Sequence, residues 1–230
     1  MRRLVPETEL PARYQVPWRS AFVARALDHC RPGMTIVDLG GGDSPTLPPG
    51  VRPASTTYIG LDPDAGDLGR GHYDRRIVAG ASDWQPDLAG TVDLIVAWNV
   101  LEHVPDMTSA MACLHAYLKP GGVFLARCAG RWAVFAIASR MIPHGLRLQM
   151  LSRLIDEPAE DHFPTCYDGC TFRDFDRCFH EWSEHEITPL YRGGGYFAFS
   201  RPLQRAYLAY EAWVMGAPQL ATHYDIRAVR

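Results

Sequence analysis

Long apolar runs are missing from this 230-residue sequence. No stretch reaches the roughly 18 uninterrupted apolar residues that a bilayer-spanning helix requires. The segment from Met1 to Glu7 lacks the apolar core of a secretory signal peptide. The six cysteines include no Cys-x-x-Cys pair, which favours reduced core residues over a disulfide framework. We therefore expect a cytoplasmic protein with no stable membrane insertion.

The sequence also lacks a bias of charge. It has 23 basic and 26 acidic residues, which gives a formal net charge of −3. Proteins that bind duplex nucleic acid normally carry a clustered basic footprint, so nucleic acid is not an expected partner. Hydrophobic residues at 47% and aromatic residues at 11% are typical of a globular domain that can bury a sizeable core.

What the sequence does contain is two short apolar runs that carry acids and glycines at their ends. The run 34–39 includes Asp38 and leads directly into three glycines, and the run 57–61 ends at Asp62. Unbroken apolar runs of this length predict buried parallel strands. Glycines at the end of a strand let the backbone turn tightly and approach a ligand. Asp62 follows Asp38 by 24 positions, near the spacing at which an acid meets the ribose hydroxyls of a nucleotide. The pair predicts a nucleoside-containing cofactor.

Three further blocks follow in order along the chain. They are Val92-Asp93-Leu94-Ile95-Val96-Ala97-Trp98, Leu101-Glu102-His103-Val104, and Leu118-Lys119-Pro120-Gly121-Gly122 with the apolar run after it. With the two acid-ended runs, this set resembles the class I S-adenosylmethionine-dependent methyltransferases. The resemblance covers residues 34–128 well and the rest of the chain loosely.

The resemblance implies a doubly wound α/β fold with a seven-stranded, mostly parallel sheet. It also implies S-adenosylmethionine as cofactor, with S-adenosylhomocysteine as product. The residues expected to bind the cofactor are Asp38, Gly40, Gly41, Gly42, Asp62, Pro63, Asp83, Trp84, Asn99, Val100 and His103. An N-terminal helix covers the cofactor in relatives of this fold, and Tyr14, Trp18 and Arg19 could do so here; simple packing of the helix on the sheet edge is the alternative.

The sequence departs from the family pattern directly after the glycines. Ser44 stands where a third glycine is usual. Prolines at 45, 48, 49 and 53 interrupt the segment that normally forms a full helix, because an interior proline costs on the order of 3 kcal/mol. We expect a loop or a single turn there. The third strand is expected near 76–80, and the family often has an acid directly after it that binds the adenine. That position is Ala81 here, and Asp83 is the nearest acid that could replace it. The alternatives are that backbone amides near Ser82 and Trp84 bind the adenine, and that Asp83 is a solvated loop acid.

The remaining elements predict a single domain spanning 1–230, with 1–33 as arm and helix and 34–128 as the cofactor half. The helices are expected at 18–30, 107–118 and 171–180. The later strands are expected at 92–98, 123–128, 182–191 and 223–229. Residues 130–168 and 192–217 are left over as two insertions, which we expect to form a helical cap over the acceptor. A homodimer interface is the alternative use of these segments.

Two histidines are candidate general bases, since neutral imidazole accepts a proton near pH 7. His103 follows the fourth strand, although Glu102 and His103 could instead form a helix-start pair that orders the loop. His162 lies in the first insertion, where a surface histidine is the alternative. The residues expected to bind substrate are Trp132, His162, Tyr167 and Tyr196.

No metal is expected. Some quinone-pathway methyltransferases that resemble this branch have an acid three residues before the Glu-His pair and use the trio for a divalent cation. Asn99 occupies that position here, and an amide is a weaker ligand for hard cations than a carboxylate. The cysteines and histidines between 162 and 180 match no standard zinc spacing.

These features together predict methyl transfer to a small-molecule acceptor, most simply to a hydroxyl oxygen. Sugars, lipids, quinone precursors and secondary metabolites are the acceptors that the resemblance suggests. The alternatives are N- or C-methylation on the same fold, and a partner subunit that binds the cofactor without catalysis.

Overall fold

The computed structural model describes residues 10–133, 136–137, 165–198 and 200–230. Its strands are β1 (Thr35–Leu39), β2 (Thr57–Asp62), β3 (Arg75–Val78), β4 (Val92–Trp98), β5 (Leu118–Ala129), β6 (Glu184–Leu190) and β7 (His223–Val229). Within the described residues they form one seven-stranded sheet in the order β3-β2-β1-β4-β5-β7-β6. Only the two pairings of β7, with β5 and β6, are antiparallel. The predicted doubly wound, mostly parallel sheet is confirmed.

The described α-helices lie on both faces of this sheet. They are α1 (Trp18–His29), α2 (Ala65–Arg70), α3 (Met107–Tyr117), α4 (Phe172–Cys178) and α5 (Arg201–Val214). The carboxylate of Asp106 accepts the Ser109 amide at the start of α3, and Thr171 caps α4 in the same way. Such capping satisfies amides that have no partner within the helix. Short polar residues therefore fix where both helices begin.

The core consists of two apolar layers separated by the sheet. On one face, Phe22 and Ala26 of α1 belong to a buried cluster with Ile36 of β1. On the other face, α3 and α4 pack in a larger cluster with Val37 and its neighbours. Since successive side chains of a strand point to opposite faces, an apolar residue is required at every position of β1 and β4 that meets a helix layer.

Two local expectations had different outcomes. The expected loss of the helix after the glycines is confirmed, because residues 43–56 contain only a short 3-10 turn, Pro49–Val51. The expected start of the fifth strand at 123 is wrong, since Leu118 already pairs with Val92. The Gly121 amide also donates to the carbonyl of Arg230. The Pro-Gly-Gly segment is therefore an irregularity within an extended strand.

A buried carboxylate fixes the N-terminal arm to the second insertion. Glu211 of α5 is 0% exposed and accepts hydrogen bonds from the Arg13 guanidinium at 3.0 Å and the Tyr14 hydroxyl at 2.5 Å. Its other oxygen accepts the Gly193 amide. The Arg192 guanidinium in turn donates to the Tyr14 carbonyl. The arm and the insertion therefore form one hydrogen-bonded unit.

Only part of the first insertion falls within the described residues. The Ile137 amide donates to the Ala133 carbonyl, which is one turn of helix, and residues 138–164 lie outside the described set. The candidate base and substrate residue His162 therefore lies outside it as well. None of the helices in the described part of the chain combines the length and apolar character needed to cross a bilayer.

Candidate active site

The glycine turn begins directly at the end of β1. Gly40 and Gly42 have φ values of +66° and +52°, a region that side chains other than glycine rarely adopt. The Gly40 amide donates to the Leu61 carbonyl at 2.8 Å, and the Gly42 amide donates to Asp62 at 3.2 Å. The turn is thus fastened to the end of β2 at both of its positive-φ positions.

The three glycines are required for different reasons. A Cβ on Gly40 would lie 2.5 Å from Val100, which packs directly on the turn. A Cβ on Gly41 would meet the Asp38 carboxylate. A Cβ on Gly42 would meet no protein atom closer than 3.6 Å, and Asp62 Oδ2 would be 3.8 Å away. The space beside Gly42 is therefore open and bordered by the Asp62 carboxylate.

Asp62 is 4% exposed and held in one orientation. Its Oδ2 accepts the Gly42 amide and its Oδ1 accepts the Asp64 amide at 2.8 Å. Burial raises the pKa of Asp62, while these two amide hydrogen bonds act in the opposite direction. A carboxylate has about four acceptor positions, so each oxygen retains one for a ligand hydroxyl. This geometry fits the neighbouring hydroxyls of a ribose.

Asp38 lies beneath the turn and is 0% exposed. Its oxygens accept hydrogen bonds from the Thr46 amide at 2.6 Å, the Thr46 hydroxyl at 2.7 Å and the Tyr58 hydroxyl at 2.7 Å. The acid therefore holds the loop that replaces the usual helix. Its predicted contact with the cofactor stays a prediction, whereas its structural contacts are already numerous.

The side chains expected around the base of the nucleoside are more exposed. The Asp83 carboxylate accepts the Gly80 amide at 2.7 Å and so closes its own turn. Trp84 stacks on Tyr117 with a 5.4 Å centroid separation. Pro63 is exposed next to Asp62. The roles of Pro63, Asp83 and Trp84 toward an adenine or ribose stay predictions.

The end of β4 turns sharply toward the glycines. Asn99 has a φ of +55°, and its amide donates to the Arg127 carbonyl at 2.7 Å. Val100 follows and packs on Gly40, so this turn borders the open space beside the glycines. His103 ends the 3-10 turn Leu101–His103 and is half-buried. Its predicted roles as base and as cofactor contact stay predictions.

Glu102, which is not among the predicted site residues, is the most unusual acid of the site. The carboxyl group does not start helix α3, because Asp106 caps that helix. Instead the side chain is buried, with Oε1 accepting the Ala129 amide at 3.3 Å. Oε2 is buried with no hydrogen-bond partner among the described residues. Burial raises the pKa of Glu102 to about 7 despite amide hydrogen bonds from Glu102 itself and Ala129.

The two insertions meet next to Glu102. The Cys166 and Tyr167 amides both donate to the Glu102 carbonyl, at 2.8 and 3.0 Å. Tyr167 is buried with a φ of +53°, a strained conformation for a tyrosine. Burial, followed by the electrostatic effects of Tyr167 and Glu102, raises the pKa of Tyr196 to about 12. The predicted substrate residues Tyr167 and Tyr196 thus lie close to one acid.

The position of Trp132 gives less support to its predicted role in substrate binding. It is 44% exposed, and the Arg131 guanidinium lies 5.8 Å from the centre of its ring. Arg131 also forms an ion pair with Asp168 at 2.8 Å. The next described residues, Ala133 and Ala136, form a small buried cluster with Ala129 and Tyr167. Trp132 therefore lies at the edge of this cluster, and its role toward the substrate stays a prediction.

The described parts of the chain contain no set of side chains that could bind a metal ion. No group of three or more His, Cys, Asp and Glu side chains there is arranged to hold an ion. Burial raises the pKa of the Cys128 thiol well above its usual value, and the Cys170 thiol adds to this effect. These two cysteines behave as core residues, as the sequence predicted.

Comparison with known proteins agrees with this geometry. The family model described as a methyltransferase domain matches residues 12–163. The ubiquinone biosynthesis O-methyltransferase of Xanthomonas axonopodis pv. citri (strain 306) is 30% identical over 145 residues, covering 56% of this chain and 59% of the relative. The same-named protein of Methylobacterium sp. (strain 4-46) is 32% identical over 108 residues, covering 43% and 42%. The chain thus spans about half the length of these curated relatives.

Two solved structures share the fold at low identity. Geranyl diphosphate C-methyltransferase from Streptomyces coelicolor A3(2), in complex with Mg2+, geranyl-S-thiolodiphosphate and S-adenosyl-L-homocysteine, superposes with a TM-score of 0.57 at 16% identity, covering 93% of this chain and 75% of that one. Haemonchus contortus phosphoethanolamine N-methyltransferase 2, in complex with S-adenosyl-L-methionine, gives 0.56 at 11% identity, covering 93% and 52%. With its glycine turn, its Asp62 and its strand order, this chain belongs to the methyltransferase domain family, as a class I S-adenosylmethionine-dependent methyltransferase.

Proposed function

We propose that this chain transfers a methyl group from S-adenosylmethionine to a hydroxyl oxygen of a small organic molecule. When bound, the cofactor supplies an electrophilic methyl group on a sulfonium that is already a good leaving group. The protein's main tasks are then to hold an acceptor atom roughly 3 Å from that methyl group and to remove the hydroxyl proton.

The donor-binding half of the proposal depends on Asp62 and the glycine turn. Asp62 offers one free acceptor position on each oxygen, beside the open space at Gly42. Arg19 of α1 donates to the Ser44 and Pro45 carbonyls at 2.8 and 3.1 Å. The first helix therefore holds the loop after the glycines in place, which supports the expected covering role of the N-terminal segment.

The acceptor half depends on one observation, the contact of Val100 with Gly40. Through this contact the β4 turn adjoins the glycine turn, and the turn continues directly into Glu102. A buried apolar cluster of Ala129, Ala133, Ala136 and Tyr167 lies next to that acid. An acceptor bound beside this cluster would face the donor site from the β5 side.

Oxygen is favoured as the methylated atom by the curated relatives, whose names describe O-methyltransferases of ubiquinone biosynthesis. Because each match covers only part of the relative, the substrate of those proteins is a guide to acceptor class and no more. The N- and C-methyltransferases among the solved structures share the fold alone. An aromatic or lipid-like hydroxyl compound is consistent with this apolar cluster beside Glu102.

The donor site is tested by calorimetric titration with S-adenosylmethionine and S-adenosylhomocysteine. We predict that Asp62→Ala weakens binding by about 2 kcal/mol or more, which is roughly a 30-fold rise in Kd. Asp43→Ala is the matched control, because that acid lies in the same loop with its side chain 53% exposed. Equal affinity of the Asp62 variant and wild type would refute the assignment.

The transferred atom is tested by turnover with a carbon-13-methyl donor. A panel of phenols, catechols, sugar hydroxyls and amines serves as acceptors, and the carbon chemical shift of the product methyl identifies bonding to oxygen, nitrogen or carbon. We expect an O-methyl product. Donor binding without any product would favour the alternative of a non-catalytic cofactor-binding subunit.

A further inference from the structure

Glu102 is a buried acid that the fold does not need in ionised form. It is 5% exposed, and the only hydrogen bond to its carboxyl from another described residue comes from the Ala129 amide. The remaining oxygen, Oε2, is buried without a partner. An unsatisfied buried polar group normally destabilises a protein, and such groups in native structures are often found at functional sites. Stability therefore does not account for this side chain.

The position of Glu102 joins the two halves of the proposed reaction. Two residues earlier in the chain, Val100 packs on Gly40 at the donor site. On the other side, the Glu102 backbone carbonyl accepts the amides of Cys166 and Tyr167, which return from the first insertion. The acid is thus held between the donor turn and the returning end of the first insertion.

We propose that Glu102 is the catalytic base, accepting the proton of the acceptor hydroxyl as that oxygen is methylated. This inference rests on the proposed function. The O–H bond of the acceptor breaks and its proton binds Oε2, while the new O–CH3 bond forms. The S–CH3 bond breaks with its electron pair remaining on sulfur, so the products are the methyl ether, S-adenosylhomocysteine and a protonated Glu102. That proton is then released to solvent.

The surrounding side chains favour a phenolic acceptor. Ala129, Ala133 and Ala136 form a buried apolar cluster with Tyr167 beside the acid. Phenols are the more acidic hydroxyl compounds, so a carboxylate can accept their proton, whereas an aliphatic alcohol would demand a stronger base. A flat aromatic ring with one hydroxyl toward Glu102 satisfies both conditions.

Two of the groups near Glu102 stay protonated at neutral pH. Burial raises the pKa of Tyr196 to about 12 and holds that of Cys128 well above its usual value. Tyr167 contributes a phenol from the first insertion, and His103 is the chain neighbour on the same turn. His103 is the other candidate base on this turn, so the experiment has to separate His103 from Glu102.

Tyr196 lies near Glu102 on the side of the second insertion, where the backbone is held in place. The glycines at 193 and 194 do not form a loose hinge, because the Gly193 amide binds Glu211 and the Gly194 amide binds Tyr14 at 2.7 Å. A Cβ at either glycine would overlap a tyrosine side chain. Tyr196 is 46% exposed, so the residues next to Glu102 on this side reach the protein surface.

The kinetic test compares wild type with Glu102→Gln, Glu102→Asp and His103→Gln, using catechols and phenols of graded acidity as acceptors. Glu186→Gln on β6 is the control for loss of an exposed acid. For Glu102→Gln we expect a fall in kcat of at least about 100-fold with donor Kd changed less than about twofold. The deficit should shrink as the phenol becomes more acidic, and Glu102→Asp should recover part of the rate.

The pH profile separates a base from a structural acid. Wild-type kcat/KM should rise with pH and level off above about 7, since only ionised Glu102 accepts a proton. This rise should disappear in Glu102→Gln and persist in His103→Gln. A profile that is lost in the His103 variant and kept in the Glu102 variant would overturn the proposal.

Direct titration of the Glu102 carboxyl tests the proposal without relying on turnover. Carbon-13 NMR of glutamate-labelled protein should show one carboxyl that titrates near pH 7 and is missing from Glu102→Gln. A carboxyl titrating at or below about 5 would overturn the proposal. If wild type methylates no phenol but this carboxyl is found, the proposed acceptor class fails while the proton-accepting group stands. If phenols are methylated equally by Glu102→Gln, the function stands and the assignment of Glu102 fails.

Discussion

The buried acids on the two sides of the active site differ in how completely their carboxylate oxygens are hydrogen-bonded. In the donor half, Asp38 and Asp62 have both oxygens hydrogen-bonded to nearby amides and hydroxyls. Glu211, which joins the arm to the second insertion, is equally satisfied. Glu102, at the acceptor half, has one oxygen with a long hydrogen bond and one with none. The satisfied acids hold loops in place, and the unsatisfied acid remains available for chemistry.

This comparison predicts the largest loss for a satisfied acid. Glu211→Ala should destabilise the protein by about 3–5 kcal/mol, because it leaves the Arg13 guanidinium, the Tyr14 hydroxyl and the Gly193 amide without their partner. Urea unfolding measures the change. Glu186→Ala, an exposed acid on β6, should change stability by less than about 0.5 kcal/mol. Similar small losses for both variants would mean that the cluster does not anchor the arm.

The sequence predicts the donor half better than the acceptor half because its signals are local. An apolar run, three glycines and an acid after the next run are contiguous features, and their strand register follows from the pattern. The prolines after the glycines are also a local signal, and they correctly predicted that the usual helix is missing there. The hydrogen-bond partners of Asp38 were harder to predict from the sequence, because Thr46 and Tyr58 lie 8 and 20 positions further along the chain.

The acceptor half depends on contacts that no short motif records. Glu102 was visible only as part of a Glu-His pair, and helix start was one reading of that pair. The structure assigns the helix start to Asp106 and turns Glu102 toward Ala129, 27 positions later. Tyr167 and Tyr196 approach this acid from separate insertions, so only the tertiary fold brings them together. The aromatic content of the insertions suggested a pocket without indicating which acid it faces.

Glu102 should have a smaller effect on stability, of opposite sign. Its pKa is raised by burial from 4.5 to about 7, so the folded state binds more protons than the unfolded state between these values. Folding is therefore progressively penalised as pH rises from about 4.5 through 7, by on the order of 3 kcal/mol in full. Glu102→Gln should be more stable than wild type at pH 8 by up to this amount.

Most of this difference should be lost at pH 5, where Glu102 is protonated in the folded state. Unfolding in urea at pH 5 and pH 8, with Glu186→Gln as control, measures the two stabilities under matched conditions. A variant less stable than wild type at pH 8 would mean that Glu102 is a structural acid like Asp38. That result would remove the contrast between the halves of the site.

The smallest effect tests whether the open space at Gly42 belongs to the donor. Gly42 and Gly90 have similar backbone angles, with φ of +52° and +63°, and a Cβ at either position has room. Alanine at each should therefore cost a similar amount of stability, about 1 kcal/mol, for the left-handed conformation. Only the methyl group at Gly42 lies beside Asp62, so S-adenosylmethionine affinity should fall about tenfold in Gly42→Ala and stay unchanged in Gly90→Ala. Gly40→Ala would be a poorer test, since its methyl overlaps Val100 and disturbs the turn itself. Equal donor affinity in the two variants, measured by calorimetry, would place the donor away from this turn and leave Asp62 as a structural acid.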